Sequence, residues 1–258
     1  MNKERAIKEK KKAIHALNSL LEQIIEEDPK RARNLSAWIK QYSQYIGFEK
    51  KFDPKKNLSY KRGDVVKLDF GFNVGSEYGG MHYAVVLDNK NAHSSPVVTV
   101  IPLTSIKDPN AKVHPNSVNL GNEIYRLLKV KYDSVNTALK NEIAETAALI
   151  DVIQNLLDNS NDNDYDTEML SNARSILSTC TANNKRSRQK QMQVNKIGGE
   201  ILRMKEGSIA IVNQITTISK MRIYDPRKTV DVLADIRLSE TGMEKIDKKV
   251  RELFVFGK

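Results

Sequence analysis

Apolar and polar positions alternate most clearly between residues 63 and 105. Val66, Leu68 and Phe70 alternate with Lys67 and Asp69, the period of two that gives a strand one buried and one wet face. A polar loop with Gly75, Gly79 and Gly80 follows, where glycine allows backbone angles that a β-carbon forbids. Ala84–Leu87 and Val97–Leu103 are valine-rich runs bounded by turn residues, and each predicts a strand. The second delivers Thr104 and Ser105 at its tip. A short strand is expected at Val118 and Leu120, and alternation returns at Ile209, Ile211 and Ile215.

On either side of this region the period becomes helical. Ile14, Leu17, Leu21 and Ile24 predict a helix over residues 3–27. Asp28 before Pro29 reads as an N-cap with proline at the first helical position. The second helix carries Ala32, Leu35, Trp38, Ile39, Tyr42 and Tyr45 on one face, so an antiparallel hairpin is expected. Residues 50–62 form a basic linker. Between about 133 and 206, Leu139, Ile143, Ile150 and Leu157 lie on one stripe, and residues 155–164 read as a polar loop. Asp166 then caps a helix through Leu170, Ala173, Ile176 and Cys180. A basic run from Lys185 to Lys190 opens a third helix, weakened at Gly198 and Gly199. Two or three helices are therefore inserted between strands. Thr241 and Glu244 make a capping-box pattern ahead of a terminal helix bearing Met243, Ile246, Val250 and Leu253.

Charge narrows the partners. Lysine and arginine number 42 against 32 acids, a formal net charge of +10. That excess puts nucleic acid or an anionic surface first, through counterion release; a plain solvated face and an acidic protein partner also fit it. The single cysteine, Cys180, excludes an internal disulfide, and its apolar helical position favours a buried thiol over a nucleophile. No apolar run approaches the ~20 residues of a membrane span, and no signal core follows the basic N-terminus. The chain is read as cytoplasmic. Its four histidines lack ligand spacing, so no metal and no other cofactor is expected. The glycine loop lacks the GxGxxG order, and no helix follows it at once.

The order of several elements resembles the MazF/PemK family of toxin endoribonucleases. They are Gly63-Asp64-Val65-Val66, Gly75-Ser76-Glu77-Tyr78-Gly79-Gly80, Ala84-Val85-Val86-Leu87, Ser95-Pro96 and Thr104-Ser105, then residues 208–215 and 217–223. The resemblance implies an α+β fold: an SH3-like β-barrel with an N-terminal helical pair, an inserted helical subdomain and a C-terminal helix. The corresponding domains are 1–50, a barrel of 58–120 plus 207–258, and an insertion of 121–206 that packs outside the barrel and leaves the site intact. It implies metal-free cleavage of single-stranded RNA, in which a 2′-hydroxyl attacks the adjacent phosphate, and it implies an antitoxin partner and a homodimer.

The family's catalytic arginine, two residues after the double glycine, is here His82, and its catalytic threonine falls on Thr104. A histidine is a better acid–base residue than arginine and a weaker phosphate anchor. The expected substrate-binding residues are Ser76, Glu77, Tyr78, Tyr83 (stacking on a base), Ser105, Gln214, and Lys220 and Arg222 if they face outward. Hydroxyls at strand ends also commonly cap turns, and a histidine there can simply be hydrogen-bonded. Two other functions fit the same barrel: a non-catalytic RNA-binding or regulatory module, and a toxin that inhibits a protein target such as a topoisomerase.

Overall fold

The computed structural model describes residues 2–106, 112–158, 167–205 and 207–255. Two helices, α1 (Lys3–Glu27) and α2 (Pro29–Phe48), open the chain as the expected pair. Asp28 separates them, its carboxylate accepting from Arg31 N. Four strands follow: β1 (Val65–Asp69), β2 (Met81–Val86), β3 (Val97–Ser105) and β4 (Ser117–Gly121). Two long helices, α3 (Glu123–Asp158) and α4 (Thr167–Arg203), come next. The chain then returns to the sheet as β5 (Ser208–Ile211), β6 (Thr216–Ser219) and β7 (Ile223–Asp225), and closes with α5 (Glu240–Phe254).

All the strand pairs are antiparallel. The order is β4-β5-β3-β2-β1-β7, with β6 also on β3. The sheet is open and not the closed barrel expected, because β6 and β7 share no ladder. They are joined by a single 3₁₀ turn, Lys220–Arg222, which links the sheet's two sides through covalent chain in place of hydrogen bonds.

The alternation expected along β1 holds, with Val66, Leu68 and Phe70 buried and Lys67 and Asp69 half-buried, but the sheet as a whole has no wet face. Val65, Val85, Ile101 and Leu103 face a core completed by Ile124 and Leu128 of α3, Ile197 of α4 and Ile246 of α5. Val66, Leu68, Ala84, Val86, Val98 and Val100 face a second core with Tyr60, Ile218 and Ile223. Consecutive apolar residues such as Val65-Val66 therefore bury on opposite sides, as expected of a sheet covered on both faces.

The insertion is a two-helix hairpin. Gly198 and Gly199 do not break α4: a β-carbon at Gly198 would stand 3.2 Å from the Tyr132 ring, so the glycine permits close packing on α3. Leu139 is buried as expected, but Ile143 (52% exposed) and Ile150 (44%) are not. The buried face runs instead through Glu142 and Thr146, where Glu142 meets Arg186 and Lys190. Residues 155–158, expected as loop, continue α3; the rest of that loop and the expected cap Asp166 lie outside the described residues. Cys180 is buried and free. Helix α5 starts two residues before the expected capping box, with Ser239 accepting from Gly242 N.

Candidate functional site

The first shared point of the site is the hydroxyl of Tyr78. The loop that carries it leaves β1 and returns as β2, pinched where Gly80 N donates to Gly71 O (2.6 Å) and Phe70 N to Gly80 O (2.8 Å). A β-carbon on Gly79 would lie 2.7 Å from Gly71 O, so this neck admits no side chain there. Gln214 grips the outer part of the loop, donating to Ser76 O and accepting from Tyr78 N, both at 3.3 Å.

Tyr78 Oη donates to Leu103 O at 2.7 Å and lies 3.0 Å from His82 Nδ1. A hydroxyl has one proton and a carbonyl can only accept, so Tyr78 Oη accepts from His82 when Nδ1 carries the ring proton. The Gly79 carbonyl also accepts from the ring, so Tyr78 and this carbonyl compete for the one proton of the neutral imidazole. Burial lowers the pKa of His82 below 6.5, against the opposing effect of the Gly79 carbonyl. Burial raises that of Tyr78, opposed by a hydrogen bond from Thr104. Tyr78 thus ties His82 to Thr104 across β2 and β3, and its ring packs edge-on against Phe70.

Two cavities meet at this cluster. One, of about 520 Å³, is lined by His82, Thr104, Lys67, Glu200, Arg203 and Lys205 among others. The second, of about 510 Å³, holds Ser76, Lys112, His114, Asn119 and Gln214. Tyr78, Thr104 and Ser105 line both. Beyond Gln214 a third cavity of about 390 Å³ is lined by Glu77, Tyr78 and Arg222. The structure thus brings His82, Thr104, Ser76, Tyr78, Ser105 and Gln214 together around one connected surface, with Glu77 and Arg222 at its far end.

One expected residue stands elsewhere. Lys220 does not face outward: its side chain is 0% exposed, donates to Ala92 O at 3.0 Å and sits over the Tyr60 ring. The turn that joins β6 to β7 points it inward, so it is a core cation and not a surface one. Tyr83 lines the first cavity, but its hydroxyl donates to the Glu200 carboxylate and its ring lies under Lys67 Nζ. Arg222 is half-buried beneath the Trp38 ring, 4.9 Å from its centroid.

The strand after the insertion rejoins the sheet beside β3, and the end of α4 supplies one cavity wall. Glu200, 6% exposed, accepts from Lys67, Tyr83 and Arg203. Burial pushes its pKa up, but these donors outweigh burial and leave it below the ordinary carboxylate value. Glu200 and Arg203 were missed because helical patterning looked like packing alone. A signal was present: Ser208 pairs with Ser105, so residues just before Ser208 must end beside the strand tip. His114, whose Nδ1 accepts from Asn116 N at 3.2 Å, was missed for want of any local pattern.

Residues 61–154 match the family of PemK-like, MazF-like toxins of type II toxin-antitoxin systems. The resemblance read from the sequence is borne out over that span, which carries β1 to β4, most of α3, and both His82 and Thr104. Glu200, Arg203 and Gln214 lie outside the MazF-like match. No curated protein matches the chain. Among the described residues, no helix is long and apolar enough to cross a membrane.

Proposed function

We propose that the chain is the toxin of a toxin-antitoxin pair and an endoribonuclease acting on single-stranded RNA. The observation that carries this reading is the Tyr78–His82–Thr104 cluster at the junction of two cavities, one of them lined by Lys67, Arg203 and Lys205 against the single carboxylate of Glu200. Neutral His82 is a base at the cavity wall. It takes the proton of a ribose 2′-hydroxyl as the 2′-oxygen bonds to the adjacent phosphorus. The bond from phosphorus to the 5′-oxygen breaks, and that oxygen takes up a proton from the imidazolium or from water. The products are a 2′,3′-cyclic phosphate and a 5′-hydroxyl, with no water consumed. Thr104 and Ser105 donate to the phosphate oxygens as charge builds there. Ser76, Tyr78 and Gln214 line the path of the neighbouring nucleotides. The same reading carries an antitoxin partner, a homodimer and a cytoplasmic place of action.

The test is incubation of purified protein with end-labelled single-stranded RNA and a chelator. The expected result is cleavage with cyclic-phosphate ends, abolished by one 2′-deoxy substitution at the scissile position. Products with 3′-hydroxyl ends would overturn the mechanism. Binding without cleavage would favour a non-catalytic RNA-binding module, and neither binding nor cleavage would favour inhibition of a protein target.

A further inference from the structure

The cluster of His82 and Thr104 lacks a permanent positive charge of its own, because burial holds His82 in its neutral form near neutrality. A phosphate carries a full negative charge and gains more as its equatorial oxygens develop charge during attack. Of the cations around the cavity, Lys67 is engaged by the Glu200 carboxylate and lies over Tyr83. Lys205 lies two residues past the end of α4 and is a point charge on a flexible stem. Arg203 differs from both. Its side chain is 71% exposed, and its bond to Glu200 uses one terminal nitrogen, Nη2, at 2.9 Å. Glu200 is in turn fixed by Lys67 and Tyr83, so it is a rigid post that aims the guanidinium while leaving it open to the cavity.

We propose that Arg203, supplied by the inserted helix, is the residue that holds the RNA phosphate against His82 and Thr104. A planar fork suits two oxygens of one phosphate, and the ordered carboxylate behind it lowers the entropy lost on binding. Glu200 acts through Arg203 and is a positioning residue. The inference rests on the RNA-cleavage reading for its rate effect and on charge alone for its binding effect.

The experiment compares wild type, Arg203→Ala, Arg203→Lys and Lys196→Ala. Lys196 is an exposed cation on the same helix that does not line the cavity, and it controls for loss of one charge. Cleavage by Arg203→Ala should fall by ~10²–10³-fold in kcat/KM, Arg203→Lys should recover part of it, and Lys196→Ala should match wild type. Affinity for a 2′-deoxy strand that cannot be cut should also be measured against salt. Losing one phosphate contact should reduce the logarithmic salt slope by ~0.7 in Arg203→Ala, with no change in Lys196→Ala. Full activity in Arg203→Ala would overturn the assignment while the cleavage reading stands. Should wild type cut no RNA, the cleavage reading falls, and the binding arm still decides: an unchanged slope in Arg203→Ala overturns the phosphate contact.

Discussion

Replacing Glu200 measures how firmly the insertion is fastened to the sheet. Its carboxylate accepts from Lys67 and Tyr83 on one oxygen and from Arg203 on the other. The Arg203 contact is mostly in water and contributes little. The other two are shielded, the Glu200 and Lys67 side chains being 9% and 23% exposed. A hydrogen bond to a charged group contributes ~1.5–3 kcal/mol and a neutral one ~0.5–1.5. Glu200→Gln keeps an acceptor for both donors and loses only the charge, so about 1 kcal/mol per contact, or ~2 kcal/mol in all, is expected. Glu200→Leu leaves the ammonium and the phenol unpaired and should cost ~3–4 kcal/mol, the low end for a broken buried pair because Lys67 can still reach water. Urea denaturation at pH 7 gives both values. A leucine variant within ~0.5 kcal/mol of wild type would refute the reasoning. The pH dependence supplies a second check. The folded-state pKa of Glu200 lies below 4.5, so its charge stabilises above that value, and the stabilisation is lost as pH falls through the folded pKa. The gap between wild type and Glu200→Gln should therefore close in acid; a constant gap would assign it to shape.

Other predictions follow from single side chains. His82→Ala should lose ~10²–10⁴-fold in cleavage rate, and the wild-type profile should show its acid limb below pH 6.5 because burial lowers that pKa; a limb above 6.5 would refute a buried base. Thr104→Ala should lose only about tenfold, as one neutral donor; a loss as large as that of His82→Ala would make it an equal partner in the chemistry. Gly71→Ala places a β-carbon 2.6 Å from Arg222 Nη2 and 2.7 Å from the Trp38 ring at a φ of +92°. It should cost at least ~2 kcal/mol and shift the fluorescence of Trp38, the only tryptophan; an unchanged spectrum would place that ring elsewhere. Lys131→Met strips the shared donor from the Asp231, Val232 and Ala234 carbonyls. A loss of ~2–3 kcal/mol by urea denaturation is expected, and a neutral result would mean that water replaces the ammonium.

The strands were legible because valine-rich runs between turn residues mean little else, and Asp28-Pro29 marked a helix start through local chemistry alone. The helical insertion was legible as helix but not as part of the site. Its buried face carries Glu142 and Thr146, polar residues that a hydrophobic stripe cannot register, while Ile143 and Ile150 on the expected stripe are largely in water. The Thr241 and Glu244 spacing misled by two residues because Ser239 offers an equally good hydroxyl earlier. His82, Thr104, Tyr78 and Gln214 could be proposed from motif order. Their hydrogen bonds could not, since the Tyr78 hydroxyl reaches its partners only after β2 and β3 pair. Lys220 reads as a surface cation in any linear scan; only the turn between β6 and β7 turns it inward.

The strand β3 has β2 on one side and both β5 and β6 on the other, and this has a consequence for synthesis. β3 ends at Ser105 and β5 begins at Ser208, so roughly a hundred codons separate the two edges of that ladder. At the ~5–20 residues per second of a working ribosome, the outer edge of β3 waits about 5–20 s for its neighbour. During that interval a nascent chain already holds His82 and Thr104 but has neither the Glu200–Arg203 wall nor the Gln214 clamp on the loop. Translation order therefore makes the last part of the site to emerge the part that completes it, and a message broken before codon 200 yields a protein without that wall.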